Sequence, residues 1–491
     1  MHYRKLTFYS LSLGIVLLIQ TNLVFGQDDK KEILHDVFAN QYTYLKKYIS
    51  NDHFMSLYKT QIWTNNLLYY AGERKEYAIL DSLAGLYLAA LEKLERPDFV
   101  IRYNGVVVDT LLTGGFYTMW RYPMERTVNN SVFQYREEHL LSSAQFLYLV
   151  SMAVNYSLEA PPGRYSNIDS LVQAYPEIIL AHHYRRWIFE MEHFQVKGWG
   201  CIEGWYNHYE FLQMKNDVRF ARKKRYCGAL TDSDLWIIAG LCEMMDANRR
   251  DSAKVFISET DKALFRVYLE EAADILQSRI DIKRIKTASG TVAGFAFDEG
   301  YWNHYPDYRY ERYEDTLFPG ERRLKWRKRT SSRTAWDISH GRRFFFAFQS
   351  VIKAAEVTGV HYPDSSVLEA LANQLVYVIY DKKQQAFRNF INGNNGWYRV
   401  GYHGEGTASP PWSLSLAALE GGWLFLGKYN SDVNAIHEDM IDLVFHQPQK
   451  MSNRYGVYYR NYEPEYLDFS LESNSRLRQL MLLQFLPSVM L

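Results

Sequence analysis

Four stretches of the chain gather side chains suited to acid–base chemistry on an anionic ligand. The first, WGCIEGWYNHYEF, holds Trp205, Asn207 and His208. The second, GFAFDEGYWNHYPDYRYERYEDTLFPG, starts at Gly294 and holds Asp298, His304, Tyr305, Tyr308, Tyr310 and Tyr313. The third, RTSSRTAWDISHGRRFFF, holds Arg333, Trp336, Asp337, His340, Arg342 and Arg343. The fourth, NFINGNNGWYRVGYHGEGT, holds Asn394, Asn395, Trp397, Arg399 and His403. Each is polar and aromatic and falls where a helical pattern begins or ends.

Asn, His, Tyr and Arg on rigid helix ends suit one reaction class. A lyase acting on uronic-acid saccharides removes the proton on C5 and expels the 4-linked oxygen. That C–H bond is weakly acidic because the adjacent carboxylate is negative. Hydrogen bonds from Asn, Arg or His neutralise the carboxylate and stabilise the enolate-like transition state. Tyrosine can serve as base or acid when nearby cations lower its pKa. This chemistry needs no metal and no cofactor. Each piece taken alone also reads as ordinary structure: a tyrosine-rich loop as packing, Arg342 and Arg343 as a helix start with ion pairs.

Within these stretches, DEGYWNH followed by Tyr313 resembles the His–Tyr motif of the hyaluronate and chondroitin AC lyases. That polysaccharide lyase family carries an Asp-Gly-Ser-aromatic-x-x-His segment with its tyrosine nine residues beyond the histidine. Here Tyr313 lies nine residues beyond His304, and Glu299 departs from the pattern. DISHGRR is similar to the family's arginine motif, with His340 in place of its first Arg and Arg342 matching the second. NGNNGWY is similar to its Asn-Gly-x-Asn…Gly-Trp-Tyr stretch, and Asn207 is the best counterpart of its catalytic Asn. The resemblance spans scattered motifs from Trp199 to His403, and the family's long C-terminal β domains have no counterpart. Toroid-only lyases of alginate or glucuronan share this outline. The resemblance implies that Tyr313 is base and acid, that His304 assists or orients the carboxylate, and that Asn207 and Arg342 neutralise it. Substrate contacts are expected from Trp205, His208, Tyr310, Trp336, His340, Arg343, Asn394, Asn395 and Trp397, with Tyr310 or Tyr308 the alternative to Tyr313 as base. On a continuous helix nine residues would put His304 and Tyr313 on opposite faces. Pro306 breaks the pattern, so a loop is expected.

The elements that must hold these stretches read as amphipathic helices. In YAILDSLAGLYLAALEKLE, Leu80, Leu83, Tyr87, Leu91 and Leu94 follow steps of three and four, one apolar helix face. EEHLLSSAQFLYLVSMAVNY, SDLWIIAGLCEMMDA, KALFRVYLEEAADILQSRI, RRFFFAFQSVIKAAEVTG, SSVLEALANQLVYVIY and WSLSLAALEGGWLFLGKY repeat the pattern. Strand-like alternation is scarce; GVVVDTLL and NRYGVYYRNYE are the best candidates. No fixed-period repeat is visible, which argues against a solenoid. The expectation is an all-α fold, an incomplete (α/α) toroid of paired antiparallel helices with little β structure. Residues 27–446 would form the toroid, with 447–491 a C-terminal part of the same domain, a small cap plus a last helix.

Residues 1–26 read as a secretory signal: Arg4 and Lys5 precede LSLGIVLLI, an apolar run too short to span a membrane comfortably. The mature chain is therefore expected outside the cytoplasm, secreted or periplasmic, with no membrane attachment. The 56 basic and 56 acidic residues cancel, which argues against nucleic-acid binding through bulk charge. Three cysteines allow at most one intramolecular disulfide. Aromatic residues make up 16% of the chain, enough to serve a core or to stack on pyranose rings. The expected partner is an anionic polysaccharide or oligosaccharide, cleaved by β-elimination to a 4,5-unsaturated uronate. Three alternatives use the same residues or fold: an oligosaccharide dehydratase acting at a chain end, a glycoside hydrolase using Asp298, Glu299, Asp337 or Glu405, and a non-catalytic glycan binder.

Overall fold

The computed structural model describes residues 26–95, 98–103, 106–112, 117–128, 131–190, 206–217, 225–303, 305–315, 333–402, 406–447 and 475–491. The fold is all-α, mostly helical with small antiparallel sheets. Its first helices are α1 (Gln27–Ile49), α2 (Phe54–Arg74) and α3 (Tyr77–Leu91). A sheet in the order β2-β1-β4-β3 follows, from β1 (Asp98–Tyr103), β2 (Val106–Leu112), β3 (Tyr122–Val128) and β4 (Ser131–Glu137). The chain continues through α4 (Leu140–Ser157), α5 (Ser166–Ala174), the π-helical α6 (Ile178–Glu190), α7 (His208–Asn216), α8 (Asp232–Arg250) and α9 (Glu259–Arg279). The hairpin β5 (Ile280–Thr287) and β6 (Gly290–Phe297) leads to α10 (Ile338–Gly341), α11 (Phe344–Thr358) and α12 (Ser365–Gln374). Helices α13 (Val433–Ile441) and α14 (Ser475–Met490) end it.

Packing runs in series from α2 to α4, α8 and α11, then through the 3-10 segment Gly422–Lys428 and α14 back to α2. Helices α1, α3, α5 and α9 lie outside this closed series. The sequence explains the division. In α4 every residue from Ser142 to Ser157 is buried, and in α8 nearly all are. Their buried polar groups pair with one another: Asn155 on α4 donates to Glu243 and Asp246 on α8, at 2.8 and 3.0 Å. In α9 the buried positions Phe265, Tyr268, Leu269, Ala272, Ile275 and Leu276 fall three and four apart, one face only. The start of α8 is set by a capping box: the Thr231 hydroxyl and backbone amide both meet the Asp234 carboxylate, at 2.9 and 2.6 Å. Truncating an inner side chain such as Leu149, fully buried, to Ala is expected to cost about 2–5 kcal/mol.

Val106–Leu112 of GVVVDTLL form β2, as the alternation suggests, while NRYGVYYRNYE lies outside the described residues. The β5–β6 hairpin and the rest of the four-stranded sheet were not expected from the pattern. WSLSLAALEGGWLFLGKY is a short α-turn, Leu416–Leu419, followed by the 3-10 segment. The reason is steric. Any Cβ at Gly421 would meet Arg342 Cβ at 2.1 Å, and one at Gly422 would meet Phe345 Cβ at 2.6 Å. The two glycines let this segment lie directly on the α10–α11 junction, and the Gly422 amide donates to the Arg342 carbonyl at 3.0 Å. Of the expected signal, residues 1–26, all but Gly26 lie outside the described residues, and Gly26 caps α1. Among the described residues no helix is long and apolar enough to cross a membrane. Cys227 is disulfide-bonded and Cys242 is a buried free thiol; Cys201 lies outside the described residues.

Candidate active site

The third stretch folds into the α10–α11 junction and concentrates charge there. Asp337 caps α10, its Oδ1 accepting the amides of Ser339 and His340 at 3.0 and 3.1 Å. Its Oδ2 accepts the His340 Nδ1–H at 2.5 Å and the Tyr308 hydroxyl at 2.7 Å. Burial pushes the Asp337 carboxyl up, but His340 and the Ser339 and Tyr308 hydrogen bonds together hold it well below the usual range. A carboxylate on Nδ1 orients the ring and leaves Nε2 as the working nitrogen. The His340 side chain is 23% exposed, so solvent reaches it.

One helix turn on, Arg343 is buried. Its Nη1 donates to the carbonyls of Ser339 and His340, at 3.1 and 3.2 Å. Its Nη2 lies 2.8 Å from Asp232 Oδ2 at the start of α8 and donates to the Tyr58 hydroxyl on α2 at 3.1 Å. Asp232 Oδ2 is also 4.0 Å from His340 Nε2. Three inner helices therefore converge: Tyr58 from α2, Asp232 from α8, and Arg343 at the start of α11, with His340 from the adjoining α10. Arg342 stands beside them, its Nη1 donating to Glu420 Oε2 at 3.2 Å. Burial pushes the Tyr58 hydroxyl up, as does Asp232, but the Arg343 and Arg342 guanidiniums outweigh both. The net result is a tyrosine below its ordinary value. Every other tyrosine with a resolved shift among the described residues is raised, as Tyr308 and Tyr398 are by burial and by Asp337.

A second rim comes from the second and fourth stretches. Tyr398 OH lies 3.5 Å from His340 Nδ1, and its ring packs on Tyr308 with centroids 5.7 Å apart. Trp302, Tyr305 and Tyr308 pack edge to face around one another, so the opening part of the aromatic stretch is core. Asp307 accepts the Arg399 Nε–H at 2.9 Å.

The remaining expected residues are distributed otherwise. His304 and Trp205 lie outside the described residues, as do His403 and Glu405. Tyr313 is buried with Tyr310, Trp397 and Ala408 in a satellite cluster, where Tyr310 and Trp397 form an antiparallel bridge. Trp397 Nε1 donates to the Asp315 carbonyl at 2.7 Å. Trp336 is buried, packed among Phe297, Trp302 and Phe344. Asn395 is buried as a turn-former, its Oδ1 accepting the amides of Asn389 and Trp412. The Asn394 amide donates to Asn392 Oδ1 and its carbonyl accepts from Phe390. Asn207 caps α7: its Oδ1 accepts the Glu210 amide at 2.9 Å, and Glu210 returns the bond to its backbone. His208 is buried, with Nε2 2.9 Å from Asp234 and Nδ1 2.8 Å from the Tyr268 hydroxyl. Lys215 completes this cluster on Asp234.

Among the described residues, the carboxylates considered for hydrolysis, Asp298, Glu299 and Asp337, are engaged. Asp298 holds Arg279 at 2.7 Å and the Leu230 amide at 2.8 Å, and Glu299 pairs with Lys283. Tyr58 was missed because α2, FMSLYKTQIWTNNLLYYAGER, carries no motif. The one available signal was Lys59 beside a tyrosine at a helix start. Among the described residues no group of three or more His, Cys, Asp or Glu could hold a metal. No family model, curated protein or solved structure matches the chain.

Proposed function

We propose that the protein is a secreted lyase that cleaves a uronic-acid-containing saccharide by β-elimination. The observation that carries this reading is Tyr58: a half-buried tyrosine at 3.1 Å from one guanidinium, beside a second, with its pKa drawn down. A base for a C5 proton needs this combination at neutral pH. In the reaction the tyrosinate oxygen takes the C5 proton. The C5–H electron pair becomes the C4=C5 double bond. The C4–O4 bond breaks, and O4 takes a proton from His340 Nε2. The Asp337 carboxylate stabilises the imidazolium that donates it. Arg342 and Arg343 sit where negative charge accumulates and oppose it electrostatically. Water leaving in place of a sugar would make the same chemistry a dehydration at a chain end.

This assignment keeps His340, Arg342 and Arg343 from the expected set and moves the base from Tyr313 to Tyr58. A disulfide at Cys227 agrees with an oxidising, extracytoplasmic location. A hydrolase is the second reading, favoured by Glu420, whose carboxyl burial raises despite Arg342, as an acid would require. Incubation with alginate, glucuronan, ulvan, hyaluronan and chondroitin separates them. Elimination creates ultraviolet absorbance from the new double bond; hydrolysis releases reducing ends without it.

A further inference from the structure

Arg399 occupies a backbone conformation that arginine rarely adopts, with φ of 54°. A left-handed residue with a Cβ costs about 1–2 kcal/mol and persists only where its surroundings enforce it. Here the Tyr402 amide donates to the Arg399 carbonyl at 3.2 Å, and Asp307 holds Arg399 at two points. The Arg399 amide donates to the Asp307 carbonyl at 3.0 Å, and its Nε donates to Asp307 Oδ2 at 2.9 Å. The guanidinium carbon lies 5.0 Å from the Tyr398 ring centroid and 4.6 Å from that of Tyr402. Its backbone and Nε edge are therefore anchored and its faces packed by rings. Among the described residues its two Nη groups make no hydrogen bond, and the side chain is 32% exposed. Tyr398, next in the chain, reaches His340 at 3.5 Å, and the charges of His340 and Asp337 act on Asp307. A partly exposed guanidinium held by Asp307 thus stands beside Tyr398, whose hydroxyl reaches His340.

We propose that Arg399 is the receptor for a substrate carboxylate, binding it bidentately through Nη1 and Nη2. The fork geometry matches a planar carboxylate, which an ammonium does not. Anchoring by Asp307 and the two tyrosines removes most of the ordering cost of a long side chain on binding. The assignment rests on the reading of this site as acting on uronides, and it makes Arg399 a specificity-determining residue. Arg342 and Arg343 are committed to Glu420 and to Tyr58 with Asp232.

The test is calorimetric binding of 4-linked uronate oligosaccharides from the five polymers, beside their carboxyl-reduced neutral counterparts. Wild-type protein is expected to bind at least one charged oligosaccharide tenfold or more tighter than its neutral counterpart. Arg399→Gln is expected to abolish that preference. Arg399→Lys, which keeps the charge beside Asp307 and hence the fold, is expected to weaken it several-fold. Unchanged binding in Arg399→Lys and Arg399→Gln, equal binding of charged and neutral forms, or no binding by the wild type would each overturn the assignment. The readout is independent of turnover. Arg399-dependent binding without ultraviolet product would sink the lyase reading alone; product formed with an unchanged KM in both variants would sink the Arg399 assignment alone.

Discussion

The Arg343 guanidinium donates a 3.1 Å hydrogen bond to the Tyr58 hydroxyl, joining residues 285 positions apart in the chain. The same Nη2 lies 2.8 Å from Asp232, so one cation ties three inner helices together at the polar end of the ring. The same contact joins the helices and sets the charge around the tyrosine proposed as base.

The pH profile should report this contact. Tyr58 faces Arg343 and Arg342 from the α10–α11 junction, Asp232 from α8, and Lys59 on its own helix. The proposed base must be deprotonated, so kcat/KM should rise with pH through a limb lying below the ordinary value of 10.0. Removing positive charge disfavours the tyrosinate. Arg342→Gln is therefore expected to move the limb to higher pH; a limb that stays in place would separate Tyr58 from the chemistry.

Asp337 links stability to pH. Its folded pKa lies below the ordinary 3.8, so its contribution is fully present above that value and lost as pH falls through the folded one. Asp337→Asn removes a buried partner of His340 and should cost about 3–5 kcal/mol at neutral pH. In urea titrations the gap between wild type and variant should shrink below about pH 4. A gap independent of pH would contradict the assignment.

Gly421→Ala tests the close approach behind Arg342. The added Cβ would fall 2.1 Å from Arg342 Cβ, far inside contact distance. Overpacking of this kind costs about 1–3 kcal/mol or more. Because the displaced backbone carries Arg342, a lowered melting temperature should come with a lowered kcat.

His208→Gln separates scaffold from site. His208 is buried between Asp234 and Tyr268, and burial of Asp234 is opposed by Lys215 and His208, which hold its carboxyl low. The substitution should lower stability by about 1–3 kcal/mol while leaving KM near wild type. A selective rise in KM with unchanged stability would place His208 at the substrate.

How much of this was legible in the sequence depends on the range of the signal. Helical periodicity is local, and the all-α class followed from it; α3 and α9 show their apolar faces at the expected spacing. The β5–β6 hairpin was hidden because its alternation, as in IDIKRIKT, mixes charged residues with few apolar ones and only its Phe295–Phe297 end is buried. DISHGRR was readable as a candidate site because Asp337, His340, Arg342 and Arg343 lie within seven residues at the α10–α11 junction. Asn207 and Asn395 looked chemical but serve as a cap and a turn, roles that Asn fills equally well. Tyr58 was invisible because its value comes from Arg343, which only the closed ring of helices brings near.

The most direct measurement of the central claim compares wild type with Tyr58→Phe for release of unsaturated uronate, followed by ultraviolet absorbance across the five polymers and their oligosaccharides. Wild type is predicted to generate absorbance on at least one substrate. Tyr58→Phe is predicted to be slower by about 10²–10⁴-fold with its melting temperature nearly unchanged. Silence of the wild type on every substrate, or a Tyr58→Phe variant as fast as wild type, would contradict the account.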